Sequence, residues 1–169
     1  AELVDDLLNR PSFGEHLARM WLDVVRYSDS NGFDWDEFRP QAWRFRDYVI
    51  RSFNQDKPFD QFIREQLAGD ELLDGPPQNL DEQDCLIATG FLRLGPYDNA
   101  APLFNEQDRR RDELLADLTE TTAGAFLGLT LSCCRCHDHK YDPISQREFY
   151  QLFAYFNSVE ESGVLSPQG

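Results

Sequence analysis

Cys133-Cys134-Arg135-Cys136-His137 places two thiols, Cys133 and Cys136, three positions apart and an imidazole directly after the second. Without the histidine this would be a redox or zinc pair. With it, the pattern is Cys-x-x-Cys-His, which fastens haem c to protein. Each position has a chemical reason. The two thiols add to the two vinyl groups of haem and form thioethers. Two residues between the sulfurs let one helical turn span the porphyrin edge. The next residue, His137, then lies under the iron and supplies an axial imidazole. One covalent haem c per chain is the leading expectation.

Zinc is the main competitor, because Cys133, Cys136, His137 and His139 are all zinc-type ligands. Structural zinc sites, however, usually draw two ligand pairs from separate segments. Four ligands within seven residues would strain a tetrahedron, and Cys85 is the only distant thiol. A zinc-stapled interaction module without redox work therefore stays as an alternative. A thioredoxin-like pair would need a βαβ context, which the pattern lacks. If haem takes Cys133 and Cys136, then Cys85 and Cys134 remain. They could pair in an oxidising space, or Cys85 could be a small buried hydrophobe.

The elements that must position these groups read as helices. Leu3, Val4, Leu7 and Leu8 form the stripe of a first amphipathic helix. Ser12 can cap a second, running to about Tyr27, with Phe13, Leu17, Met20, Trp21, Val24 and Val25 on its apolar side. Asn31-Gly32 breaks it. Pro40 suits the first turn of a third helix carrying Trp43, Tyr48, Val49, Ile50 and Phe53. Pro58 opens a fourth with Phe59, Phe62, Ile63 and Leu67, ended by Gly69. Asp81 is expected to cap a short fifth through Ala88, closed by Gly90. Loops are expected over 70–79 and 95–105. A long sixth helix is expected from about Glu106 to Thr130, with Leu114, Leu118, Thr122, Ala125 and Leu129 inward, and the haem motif follows it. Ser145 and Glu148 form a capping box for a last helix with Phe149, Leu152, Phe153 and Phe156. Strand alternation and repeats are lacking. The fold class is all-α, six to seven helices in a single domain over 1–169.

Composition bounds the rest. A length of 169 residues is enough to bury a real core, and 41% apolar with 13% aromatic residues excludes disorder. A net charge of −15 would repel nucleic acid and anionic membrane, and would attract a basic partner. The same charge could simply keep a secreted protein soluble. No apolar stretch approaches the ~18 residues of a membrane span. Ala1 to Arg10 reads as an amphipathic helix, not a signal peptide. Haem c matures outside the cytoplasm, so an extracytoplasmic location is expected, with a leader or upstream domain cut away and the chain a fragment of a larger multi-domain protein.

Several blocks occur in order: Trp21-Leu22-Asp23-Val24-Val25-Arg26-Tyr27, Arg46-Asp47-Tyr48-Val49-Ile50, Glu65-Gln66-Leu67-Ala68-Gly69-Asp70 and Ile87-Ala88-Thr89-Gly90. Phe126-Leu127-Gly128-Leu129-Thr130 then leads into Cys136-His137-Asp138-His139-Lys140-Tyr141-Asp142-Pro143-Ile144. Over nearly the whole chain this resembles the planctomycete cytochrome-c-like domain, a domain of unknown function in large multi-domain extracytoplasmic proteins. The resemblance implies a c-haem module beside other domains and leaves its activity open. It also implies a histidine, in many relatives, where this chain has Met20.

The sixth coordination position has three candidates: Met20, His16 one turn before it, or an open or water-bound iron. Met20 could instead fill a core gap. His139, two residues past the proximal ligand, is expected to hydrogen-bond locally or to a propionate. Arg26, Arg44, Arg46 and Arg135 could pair with propionates, since a guanidinium matches a carboxylate in two-pronged fashion; each could equally be a surface arginine. Asp29, Asn31, Asp34 and Asp36 could hold calcium, but they lack EF-hand spacing and read better as an acidic loop. Asp138 and Asp142 read as structural, with Asp142-Pro143 suited to a turn.

Two functional classes follow. One is an electron-transfer module serving a redox partner protein or neighbouring domain, with basic charge suiting the acidic surface, and with no nucleic acid and no membrane insertion. The other is a haem enzyme of peroxidase or oxidase type, for which His16 and His139 are the only spare imidazoles.

Overall fold

The computed structural model describes residues 2–33 and 35–159. It is all-helical: α1 (Glu2–Leu8), α2 (Pro11–Val24), α3 (Ala42–Asn54), α4 (Phe59–Ala68), α5 (Leu80–Ala88), α6 (Gln107–Thr122) and α7 (Gln146–Tyr155). Among the described residues there is no strand, only an isolated antiparallel bridge between Ser30 and Phe38. No helix among them is long and apolar enough to cross a membrane. The chain divides into two compact units, one of residues Ala1–Asp29 and Pro40–Leu94, the other of Ser30–Arg39 and Gly95–Gly169.

In the first unit, α2 begins two residues earlier than the sequence suggests. Pro11 occupies its first turn and Arg10 its cap position, so Ser12 lies inside the helix. Proline has no amide to leave unsatisfied there, and its fixed φ is already helical. The helix stops at Val24 instead of Tyr27, because Arg26 takes a left-handed φ of 60°. Pro40 stands before α3 and not in its first turn, and Asn79, not Asp81, caps α5 by accepting the Glu82 amide at 2.9 Å. The apolar stripe of α1 is exposed along its length, with Leu3 at 70% and Leu8 at 51%.

Helices α2 and α3 pack together. Asn54, the last residue of α3, clips onto the start of α2: its Oδ1 accepts the Gly14 amide at 2.9 Å and its Nδ2 donates to the Pro11 carbonyl at 3.1 Å. Around them Val25, Phe45, Tyr48, Val49, Phe62, Ala88 and Phe91 are buried. Polar residues join this core. Trp21 Nε1 donates to Gln66 Oε1 at 3.1 Å, and Gln66 Nε2 donates to the Phe62 carbonyl at 3.1 Å.

Helices α4 and α5 approach at Gly69, where a Cβ would lie 2.0 Å from the Cys85 carbonyl oxygen. No side-chain rotation relieves a clash with backbone. Gly69→Ala should therefore cost about 1–3 kcal/mol, the usual range for overpacking. It should appear as a lower denaturant midpoint at unchanged slope. An unchanged midpoint would mean that the two helices separate freely.

In the second unit, α6 buries Leu114, Leu115, Ala116, Leu118, Thr119 and Thr122. The sequence suggests one helix to Thr130, but α6 ends at Thr122 and gives way to a π-helical turn, Ala123–Leu127. Gly128 then takes a φ of +66°, and the amides of Gly128 and Leu129 both reach back to the Ala123 carbonyl. A left-handed glycine ends helices because it lacks the Cβ penalty. Ala116, Ala123, Leu131, Cys134 and Phe149 form a buried cluster, with Leu129, Ile144, Leu152 and Phe153 packed against it. The expected capping box is present on α7, joining Ser145 and Glu148 reciprocally.

Segment 30–39 belongs to this unit and is organised by protein groups. The Asn31 amide donates to the Glu37 carbonyl and the Asn31 carbonyl accepts the Tyr97 amide, both at 2.9 Å. Arg39 Nε donates to Asn31 Oδ1 at 2.7 Å. Of the calcium candidates, Asp34 lies outside the described residues, and Asp36 accepts the Gly32 amide at 2.7 Å.

Candidate functional site

The cysteine motif lies on a short 3-10 turn, Ser132–Arg135, in the second unit. The Cys134 amide bonds the Leu131 carbonyl at 2.8 Å, and the amides of Cys136 and His137 bond the Cys133 carbonyl at 3.2 and 3.3 Å. Cys133 lies within this turn and Cys136 is its C-cap residue. Both are exposed and free. Cys134 is not exposed. It is fully buried in the cluster with Ala116, Ala123, Leu131 and Phe149, and its Sγ lies 3.8 Å from the Ile144 carbonyl oxygen. Burial raises its thiol pKa, which keeps it a neutral apolar plug. Cys85, half-buried in the first unit, is also free.

His137 is exposed, and its Nδ1 lies 2.7 Å from the Asp138 carbonyl oxygen. A carbonyl can only accept, so this contact puts the ring proton on Nδ1 and leaves the Nε2 lone pair for a metal. His139 has the opposite assignment. Its Nδ1 accepts the amides of Asp142 at 2.9 Å and Tyr141 at 3.3 Å, so its proton belongs on Nε2. With an 11% exposed side chain, His139 fastens the loop after the motif, the local hydrogen bonding expected for it. Among the described residues, no three His, Cys, Asp or Glu side chains gather so as to hold a metal ion. The four-ligand zinc arrangement is therefore not assembled.

Helix α7 supports the motif from behind. Gln146 Nε2 and Tyr150 Oη donate to the Arg135 carbonyl at 3.1 and 3.0 Å. The Gln146 amide donates to Asp138 Oδ1 at 2.8 Å. Gln146 and Tyr150 were not legible as site residues. The capping box marks where α7 begins, but nothing in the residue types says which carbonyl their side chains reach.

The other candidates for the iron and the propionates lie in the first unit, apart from Arg135. Met20, expected on the apolar side of α2, is 48% exposed. The buried residues of that helix are Gly14 and Ala18, and position 20 lies off their line. His16 is exposed as well. Arg44 lies over the Trp43 ring, 5.1 Å from its centroid, and Arg46 pairs with Asp47 at 2.8 Å. Arg46 also lines a cavity of about 320 Å³ with Arg19, Asp23 and Tyr27. Tyr27 donates to Asp29 Oδ1 at 2.6 Å, and burial together with that carboxylate raises its pKa. Arg26 is half-buried, and Arg135 is exposed between the paired thiols.

Fold and site define a helical chain whose two exposed thiols stand in one Cys-x-x-Cys-His segment. Over residues 1–161 the chain matches PSCyt2, described as a protein of unknown function (DUF1549), and it belongs to that family. No curated protein and no solved structure matches it.

Proposed function

We propose that this domain binds one haem c through Cys133 and Cys136, with His137 Nε2 as axial ligand, and that it transfers electrons. The supporting observation is the division of labour within the motif. Two thiols are exposed, the intervening Cys134 is buried, and the following histidine has Nδ1 engaged and Nε2 free. These residues fit the group: two nucleophilic sulfurs for thioether bonds and one neutral imidazole. Haem, when bound, would supply an iron centre that changes oxidation state by one electron. The chain's own residues then hold its edge, fix the ring of His137 and exclude water from behind the turn through Cys134, Phe149 and Leu131. Arg135, exposed beside the thiols, is the proposed propionate partner. As sixth ligand, Met20 is proposed on the sequence alone, from the resemblance that implies a histidine at its position in many relatives.

Electron transfer is favoured over peroxidase or oxidase chemistry because only one of the two spare imidazoles, His16, is left as a candidate base. The Nδ1 of His139 is already taken by two backbone amides. An extracytoplasmic location follows from haem c maturation, and the net charge of −15 suits a basic redox partner.

Protein made with the haem c maturation machinery should give a pyridine haemochrome spectrum and an intact mass one haem above the polypeptide. Bare mass with stoichiometric zinc would overturn the proposal. In the loaded protein, Met20→Ala should change the spin state and remove the ferric signature of sulfur–iron bonding; an unchanged spectrum would remove Met20 from the ligand set.

A further inference from the structure

The peptide unit joining Asp138 to His139 is held at every polar group it offers. Its carbonyl accepts His137 Nδ1–H at 2.7 Å, while its amide donates to the Ile144 carbonyl at 2.8 Å. A peptide is planar, so anchoring the N–H fixes the direction of the C=O on the other side. The residues flanking that plane are fixed as well. The Asp138 carboxylate receives the amide of Gln146, the first residue of α7, at 2.8 Å. The His139 ring accepts the Asp142 and Tyr141 amides, which folds 139–144 back so that Ile144 can meet the His139 amide.

We infer that Asp138 and His139 are positioning residues: they hold one peptide plane so that its carbonyl fixes the proton of His137 on Nδ1 and aims Nε2 outward. The inference rests on the haem reading for its purpose, though not for its geometry. An imidazole whose second nitrogen donates to a fixed acceptor is a more basic ligand and cannot rotate away. Without the clamp, Asp138 ψ is free, the carbonyl swings, and His137 can take either tautomer. A stronger donor favours ferric iron, so the clamp lowers the reduction potential.

The test uses the haem-loaded chain with Asp138→Ala and His139→Ala. Ser145→Ala serves as control, since it weakens the α7 cap without touching the peptide plane. Solvent exchange of the His137 Nδ1–H, read by NMR in the reduced protein, should speed up about 10-fold or more in the two clamp variants. Their potentials should rise. Ser145→Ala should lower Tm with neither change. Asp138→Asn and His139→Asn should restore slow exchange, because an amide oxygen can cap α7 at the first position and can accept the 141 and 142 amides as an Asx turn at the second. The inference is overturned if both alanine variants merely lose Tm, as Ser145→Ala does, with exchange and potential at wild-type values. If no haem attaches to the wild-type chain, the haem reading fails by itself. The tautomer of His137 in the chain as purified, read from ring nitrogen shifts about two pH units above the usual histidine pKa of ~6.5, then decides the clamp: Nδ1–H in wild type and mixed tautomers in Asp138→Ala and His139→Ala support it, and no difference ends it.

Discussion

Cys133→Ala with Cys136→Ala should give a chain of bare polypeptide mass, while Cys134→Ala keeps its haem and loses stability. All three cysteines lie within four residues, so composition alone cannot tell them apart. Burial does. Cys133 and Cys136 are exposed, whereas Cys134 is 0% exposed among Ala116, Ala123, Leu131 and Phe149. Removing both exposed thiols removes both proposed points of thioether attachment. Truncating the buried one leaves the attachment chemistry intact and opens a small cavity worth about 1–2 kcal/mol. His137→Ala should retain the thioethers but turn the iron high-spin. Intact mass and a denaturing-gel haem stain read the first effect, and a denaturant melt reads the second. Loss of haem in Cys134→Ala, or its retention in the double variant, would mean that the pairing of sulfurs has been misread.

What the sequence revealed and what it hid divide along a physical line. The capping box at Ser145 and Glu148 was legible because its partners sit three residues apart, and the structure forms it. The cysteine motif was legible for the same reason. The sequence overstates the length of α6 because Ala125 and Leu129 keep the apolar phase of Leu114 and Leu118, while the bonding shifts to a π turn that residue types do not announce. The stripe of α1 showed an amphipathic helix correctly, but periodicity does not say what covers its apolar face. Met20 was placed inward by the same logic and is half exposed, since small residues, not the largest apolar ones, mark the contact side of α2. The clamp around His137 was invisible for a deeper reason. Most of its acceptors and donors are backbone atoms of Arg135, Asp138, Tyr141, Asp142 and Ile144. Every residue carries such atoms, so sequence spacing cannot single them out.

The largest stability effect is expected at Glu65, a position helical periodicity would have left polar and outside. Its side chain is 2% exposed, yet its carboxylate is fully supplied with donors. Tyr48 Oη donates to Oε2 at 2.8 Å, Lys57 Nζ to the same oxygen at 2.5 Å, and Gln61 Nε2 to Oε1 at 2.8 Å. Lys57 is itself 12% exposed and lies over the Tyr48 ring at 4.8 Å. Glu65→Ala would strand a nearly buried ammonium and a buried phenol together. Breaking a buried pair from one side costs about 3–5 kcal/mol, far more than the net worth of the intact pair, because the remaining charge stays desolvated. At 2–4 °C per kcal/mol for a chain of this size, Tm should fall by roughly 6–20 °C. Glu65→Leu combined with Lys57→Met should recover much of that loss, since no charge is left buried, and the non-additivity measures the coupling. The consequence reaches further along the chain. The neighbouring Gln66 accepts the hydrogen bond of the Trp21 indole N–H, tying α4 to α2, so a loosened α4 should also release Trp21 and shift its fluorescence. A Glu65→Ala variant that melts within about 1 kcal/mol of wild type, its tryptophan emission unmoved, would show that water reaches this carboxylate and that the network is not what seats α2.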